Sequence, residues 1–324
     1  MGIDRDFEVR EFEVAQTPPS PSIIGHEFVG HLEDLYTEEG QAYGLKAGDA
    51  VIADIAVPCG DCLLCRSGDD ANCANMKVTN GGSVEEAPYL YCGYTEVNFT
   101  PLANLIRIPD ELIPVVAVTF ACPGPTAIHA CRLAEQAGVR FAGMGAAVVQ
   151  GLGPVGCFAL AYLKKAGIEN IYAITVGDNS KREELAMELG AKRVFNLDRE
   201  GTEAVTAALQ KENSGLGVDL CFEASGVVQG MDVLRNRGVY LVPGQYSASG
   251  GITIQPQTIT FKALHIIGSS QYSVIDVEQY LNFLIANKDL HPLIDKMSSK
   301  YPIERINEAI ADAKSGSNIK TLLV

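Results

Sequence analysis

Cys59, Cys62, Cys65 and Cys73 bring four of the chain's nine cysteines into one short run, spaced C-x2-C-x2-C-x7-C. Zn²⁺ takes four soft ligands in a tetrahedron, and short loops let neighbouring thiolates reach one ion without strain. Gly60 and Gly68 supply turns within the run and no histidine interrupts it, so it reads as a closed structural zinc site of four thiolates. Two plainer readings are a disulfide pair and thiols crowded by chance; an odd cysteine count without any sign of an oxidising compartment weighs against the disulfides. A second pattern is Gly151-Leu-Gly153-Pro-Val155-Gly156. G-x-G-x-x-G alone is weak, and a purely structural glycine turn is its alternative. Here an apolar strand precedes it and a helix follows, which is the context that cradles a dinucleotide pyrophosphate. The first glycine permits the tight turn, the second the approach of the phosphates, and the third close packing of helix on strand, with the helix N-terminus supplying partial positive charge.

The reader of the adenosine ribose belongs at the end of the next strand, in Thr175-Val-Gly177-Asp178-Asn-Ser-Lys181-Arg182. A carboxylate there accepts hydrogen bonds from the ribose 2′-hydroxyl and repels a 2′-phosphate. The usual acidic slot falls on Gly177, with Asp178 one residue late and the basic Arg182 close by, so the signals point both ways and the reading leans to NAD over NADP.

Positioning these groups takes two textures of chain. Phe7–Val14 alternates apolar and polar residues as a half-buried strand does, until Thr17-Pro-Pro-Ser-Pro-Ser22 breaks it. To about Pro109 the pattern stays short, glycine-punctuated and β-like: Lys46–Asp49 predicts a turn, and 50–56, 93–99 and 105–108 predict strands. Beyond Pro109, strand and helix alternate. Helices are expected over 115–136, 154–166, 181–189, 202–211, 277–286 and 303–313, and strands over 146–150, 171–176, 194–195, 219–223, 239–242, 264–268 and 321–324. That alternation is the signature of a parallel doubly wound sheet. The fold class is therefore α/β, with a β-rich first lobe and a tail that can rejoin it.

The chain has 324 residues, enough for two domains with sizeable cores, and a net charge of −15. No broad basic face is available for nucleic acid or anionic lipid. No apolar run approaches the ~20 residues that span a bilayer, and the polar, acidic opening shows no signal-peptide core. A cytoplasmic protein is expected, with no nucleic-acid or membrane partner. Cys92, Cys131, Cys157 and Cys221 sit among apolar neighbours and are expected in the core.

Taken in order, further motifs resemble the zinc-dependent medium-chain dehydrogenase/reductase (alcohol dehydrogenase) family over nearly the whole chain. They are Gly25-His26-Glu27-Phe-Val-Gly30, Gly48-Asp49 before a strand, the Cys59–Cys73 run, Cys122-Pro-Gly-Pro-Thr126, the glycine loop and Glu223-Ala-Ser-Gly226. The resemblance implies a GroES-like β-rich catalytic domain over 1–121, a Rossmann doubly wound domain over 122–259 and a C-terminal segment, 260–324, returning to the first. It implies that His26 and Cys122 hold a catalytic zinc with Glu27 as ligand or adjacent carboxylate, and that Cys59, Cys62, Cys65 and Cys73 hold a structural one. Thr126 and Val155 match positions beside the nicotinamide. The implied activity is hydride transfer between an alcohol/carbonyl pair and NAD(P), in a homodimer or homotetramer.

The chain departs from the family where a Cys-Gly-Ser/Thr-Asp segment normally precedes the His-Glu pair, since no cysteine precedes Cys59. Met1-Gly-Ile-Asp4 aligned on that segment puts Met1 in the ligand's place and Ile3 in the place of the relay hydroxyl; a deletion before Ile23 is the other alignment. A site one thiolate short is expected to bind zinc more weakly. The alternative function is thus a catalytically impaired or truncated relative that keeps structural zinc and dinucleotide and acts by binding or oligomerising. Two smaller departures are 141–145, longer than the resemblance implies, and 226–237, short for a helix between two strands.

Overall fold

The computed structural model describes residues 23–33, 37–78, 84, 85, 87, 89, 90, 92–225, 229–243 and 254–324. The strand expected over 7–14 and the Met1–Asp4 segment lie outside the described residues. The chain divides into two units, one running to Pro125 and resuming at Gln271–Val324, the other Thr126–Ser270.

The first unit holds β1 (Val29–His31), α1 (Thr37–Ala42), β2 (Ala50–Ala53), β3 (Ala56–Val57), α2 (Leu63–Arg66), β4 (Lys77–Val78) and β5 (Leu105–Arg107). β1, β2 and β5 form an antiparallel sheet in that order, with Ile52 opposite Val29 on one side and Ile106 on the other. The strand expected over 50–56 is cut in two because Asp54 Oδ1 accepts from the amide of Ala56 at 3.1 Å, a local turn that competes with the ladder. The buried Asn104 bridges the cut, its Nδ2 donating to the carbonyls of Asp54 (3.2 Å) and Ala56 (2.6 Å). No strand forms over 93–99: Cys92 sits at φ 60° and Asn98 Nδ2 donates to its carbonyl at 2.6 Å, bending the backbone. The helix expected over 115–136 is two, α3 (Pro114–Thr119) and α4 (Pro123–Gln136), separated where Phe120 leaves helical geometry at φ −124°, ψ 36°. Proline suits the first turn of a helix, where its missing N–H has no partner to lose.

The second unit carries β6 (Ala146–Gln150), α5 (Pro154–Lys165), β7 (Asn170–Thr175), α6 (Ser180–Glu188), β8 (Arg193–Asn196), α7 (Leu197–Glu200), α8 (Thr202–Glu212), β9 (Val218–Glu223), β10 (Leu234–Pro243), α9 (Pro256–Lys262) and β11 (His265–Ser269). Its strands lie in one parallel six-stranded sheet in the order β8-β7-β6-β9-β10-β11. This is the doubly wound order of a dinucleotide-binding fold. All five residues of β6 are buried, as a strand covered on both faces requires, and Val148, Tyr172, Phe195, Leu209 and Cys221 share its core. β11 pairs with β10 from His265 to Ser269, so the boundary expected at 259/260 lies at 270/271. The earlier one, expected at 121/122, lies at 125/126.

Between β9 and β10 the only helix among the described residues is the single 3₁₀ turn Gln229–Met231, where parallel neighbours ordinarily use a crossover of a dozen or more residues. Lys262, at the end of α9, compensates: its ammonium donates to the carbonyls of Met231 (3.1 Å), Asp232 (2.9 Å) and Leu234 (2.9 Å). The first unit resumes with α10 (Val274–Ala286), α11 (His291–Met297), β12 (Ser298–Tyr301), α12 (Ile306–Ser315) and β13 (Lys320–Leu323), β13 running parallel to β12. α10 opens with a capping box between Ser273 and Asp276.

Lys262→Met leaves three carbonyls without their shared donor and is expected to lower unfolding free energy by about 2 kcal/mol. Denaturant titration followed by circular dichroism measures it; an unchanged midpoint would show that water serves those carbonyls equally well.

Candidate metal and dinucleotide sites

The Cys59–Cys73 run wraps α2 and a 3₁₀ turn at Asp70–Asn72. Its sulfurs converge: Cys62 and Cys65 are 3.5 Å apart, Cys62 and Cys73 3.9 Å, and Cys59 and Cys65 4.0 Å. A tetrahedron with zinc–sulfur bonds of about 2.3 Å has sulfur–sulfur edges of about 3.8 Å, so the four donors fit a zinc ion as they stand. They are far outside the ~2.05 Å of a disulfide, and none of the nine cysteines is in a disulfide. Backbone amides aim at the sulfurs: Cys59 N donates to Cys73 Sγ at 3.2 Å and Asn75 N to the same sulfur at 3.3 Å. Amide donation from Asp61 and Cys62 pulls the Cys59 thiol down to about 6 and amide donation to Cys62 lowers that thiol too, while burial pushes Cys65 up to about 12.

A second cluster brings together His26, Glu27 and Cys122, each offering one donor atom within 4.8 Å of the others. Two glycines make the approach possible. Gly25 sits at φ +97° under the ring of Tyr94, where a Cβ would come within 2.1 Å of Cδ1, and backbone bonds Gly93 N to Gly25 O (2.7 Å) and Tyr94 N to Ile24 O (3.0 Å) pin the segment. Cys122 lies between α3 and α4, where Gly124 packs under the ring of Tyr280, whose hydroxyl donates to Ala117 O at 2.8 Å. The hydroxyl of the buried Tyr272 hydrogen-bonds Cys122; burial holds that phenol well above its usual range. Asp54, in the same unit, is pushed up to about 7 by burial and by the carboxylates of Asp70 and Asp276.

Glu27 is 2% exposed and forms an ion pair through Oε2 with Lys320 of β13, itself 2% exposed. Its other oxygen stands 4.0 Å from His26 Nε2. Imidazole, carboxylate and thiolate make a three-donor set of the kind that leaves a fourth position open at a catalytic zinc. The donors therefore fit a zinc ion, with Lys320 balancing the carboxylate's charge.

In the second unit Gly151 takes φ +98°, where a Cβ would come within 2.9 Å of the Ala224 backbone, while a Cβ on Gly156 would fall 1.9 Å from Gly151 O. A Cβ on Gly153 would meet nothing within 4 Å. Among the described residues the middle glycine, at the N-cap of α5 beside the half-buried Val155, thus fronts open space before the first amides of the helix, which is what a pyrophosphate needs. Thr126 is half-buried in the first turn of α4. Asp178 is exposed past the end of β7. Arg182 is 7% exposed and turned inward, Nη1 donating to Leu152 O at 2.8 Å within the glycine loop. Its side chain is therefore committed to bracing the glycine loop, where the sequence had suggested a cofactor contact.

Residues 3–110 match the model of the alcohol dehydrogenase GroES-like domain and residues 154–286 that of the zinc-binding dehydrogenase. The chain belongs to the zinc-dependent medium-chain dehydrogenase/reductase family. It is similar to the L-threonine 3-dehydrogenase of Caldanaerobacter subterraneus subsp. tengcongensis (30% identical, 85% of this chain, 74% of the relative). It is also similar to the 5-exo-hydroxycamphor dehydrogenase of Pseudomonas putida (28% identical, 94% of this chain, 84% of the relative). Among solved structures, an alcohol dehydrogenase of Thermotoga maritima shares the fold with a TM-score of 0.84 at 23% identity, over 99% of this chain and 89% of that one. A protein of Sinorhizobium meliloti 1021 solved bound to NADP shares it at 0.79 and 21% identity, over 100% and 89%. The family uses zinc and a nicotinamide cofactor. No helix among the described residues is long and apolar enough to cross a membrane.

Sequence reasoning missed Lys320 and Tyr272. Lys320 carried one signal, a charged residue in the otherwise apolar Thr-Leu-Leu strand, where an unpaired ammonium would not be tolerated. Removing one member of a buried ion pair strands the other charge, at a cost of about 3–5 kcal/mol. Lys320→Met is expected to lose about that much, and Lys320→Met with Glu27→Gln to recover a good part of it. Denaturant titrations of the four proteins in the cycle measure the coupling; additive losses would mean that the pair is not coupled.

Proposed function

We propose that the chain is an NAD(P)-dependent, zinc-containing oxidoreductase that oxidises a primary or secondary alcohol to a carbonyl, with NAD favoured. The observation that carries the reading is the convergence of His26, Glu27 and Cys122, whose donor atoms lie within 4.8 Å of one another. Zinc, when bound there, supplies Lewis acidity toward an alcohol oxygen, and the nicotinamide, when bound, accepts the hydride. His26 and Cys122 act as ligands throughout. Glu27 is a ligand or the carboxylate beside it, its charge balanced by Lys320. Gly151, Gly153 and Gly156 shape the pyrophosphate cradle, Thr126 and Val155 lie by the nicotinamide, and Asp178 stands at the ribose end. Cys59, Cys62, Cys65 and Cys73 hold a zinc that stabilises the first unit without entering the chemistry. The reading includes a homodimer or homotetramer and a cytoplasmic location.

The impaired-relative reading rests on the lack of a cysteine before Cys59 and is not favoured, since three donors suffice for a catalytic zinc.

The test is absorbance of reduced nicotinamide during turnover with NAD or NADP over a panel of alcohols. Similar proteins named L-threonine 3-dehydrogenase put L-threonine on it. Alcohol-dependent reduction that falls by at least about 100-fold in Cys122→Ser is expected. No reduction by zinc-replete protein with any alcohol would overturn the proposal.

A further inference from the structure

Gly177 stands at the end of β7, where a dinucleotide-binding unit ordinarily carries its ribose-reading carboxylate. A glycine there cannot repel a 2′-phosphate, and its bare amide is a donor that such a phosphate could use. In this chain that amide is already committed: Gly177 N–H donates to Asp198 Oδ2 at 2.7 Å. We propose that Asp198, in the first turn of α7 just after β8, is the cofactor-selectivity residue, a carboxylate supplied from a neighbouring element to the slot that Gly177 leaves vacant, and that it selects NAD over NADP. The inference deepens the proposed function and rests on its nicotinamide cofactor.

Three features hold Asp198 in that place. Asn196, fully buried at the end of β8, accepts from the amides of Asp198 (3.1 Å) and Arg199 (3.4 Å). The same side chain donates to Gly177 O at 2.7 Å and to Glu183 Oε1 at 3.1 Å, tying the ends of β7 and β8 together. Asn179 Nδ2 in turn donates to Val176 O at 2.5 Å, fixing the backbone of the turn that presents the Gly177 amide.

Of the basic side chains in these segments, both arginines are engaged elsewhere. Arg182 is buried and bonded to Leu152 O. Arg199 is paired with Glu183 at 2.6 Å. Lys181 is exposed and Asp178 beside it carries the opposite charge. A 2′-phosphate would bring roughly two negative charges to a carboxylate that also occupies the amide it would need. Even in water, charges a few ångströms apart repel enough to shift binding by about tenfold. A free 2′-hydroxyl, by contrast, can donate to the same carboxylate.

Equilibrium binding of NADH and NADPH to the zinc-replete full chain, read by nicotinamide fluorescence, tests the inference without turnover. The wild type is expected to bind NADH at least about tenfold more tightly. In Asp198→Ala the ratio should collapse toward one, chiefly because NADPH gains. Asp198→Asn keeps an acceptor for Gly177 but removes the charge, so it should lose most of the discrimination while retaining the wild-type melting profile; it carries the comparison if the alanine variant fails to fold. A wild type that prefers NADPH, or an unchanged ratio in Asp198→Asn, overturns the inference. Tight NADH binding by a protein that oxidises no alcohol overturns the proposed function and leaves this inference standing, whereas binding of neither dinucleotide overturns both.

Discussion

A carboxylate buried beside a candidate metal must be neutralised, and Glu27 is neutralised by Lys320. The cost of leaving either charge alone in a low-dielectric interior is several kcal/mol, so the two positions constrain each other although 293 residues separate them. This explains why the first unit is discontinuous. β13 has to return to the β-rich unit to deliver its ammonium, and all four of its residues, Lys320 included, are buried when it does. The pair also sets the electrostatics of the cluster. With Glu27 balanced by Lys320, the charge offered to a dication comes mainly from the Cys122 thiolate, with the Tyr272 hydroxyl hydrogen-bonded to it.

The two metal clusters differ in the way their roles require. The Cys59–Cys73 sulfurs form a closed set at tetrahedral edge lengths on one short loop, with amide donors favouring thiolate at Cys59 and Cys62. Folding a few residues is enough to build it. His26 and Glu27 come from one segment and Cys122 from another, held by Gly25, Gly93 and Gly124, each pressed under an aromatic ring. Such a site depends on packing over the whole unit, which is why a substitution as distant as Lys320→Met should reach it.

What was legible in the sequence was what short-range spacing encodes. The C-x2-C-x2-C-x7-C run, the glycine loop between β6 and α5, and the alternation of strand and helix from β6 to β9 appear where periodicity and turn residues put them, whereas α9, α11 and β12 were not foreseen. The helix expected over 115–136 failed at Phe120–Cys122 because apolar spacing does not register a break that Pro123 and the packing of Tyr280 on Gly124 impose. The strand expected over 93–99 failed because alternation cannot reveal the bond from Asn98 to the Cys92 carbonyl. Lys320 on Glu27, Tyr272 on Cys122 and Asp198 on Gly177 are contacts between distant segments, and only the folded chain shows them. Arg182 illustrates the same limit: its type and place suggested a ligand contact, while the fold turns it into a brace for Leu152.

Zinc content combined with the zinc X-ray absorption edge of the purified full chain tests most directly whether both clusters are metal sites. Two zinc ions per chain are expected, with five sulfur ligands between them, four from Cys59, Cys62, Cys65 and Cys73 and one from Cys122, and with nitrogen and oxygen as the remaining donors to the second ion. A single zinc in an all-sulfur environment, unchanged when zinc is supplied in excess, would contradict the assignment of His26, Glu27 and Cys122 as a metal centre.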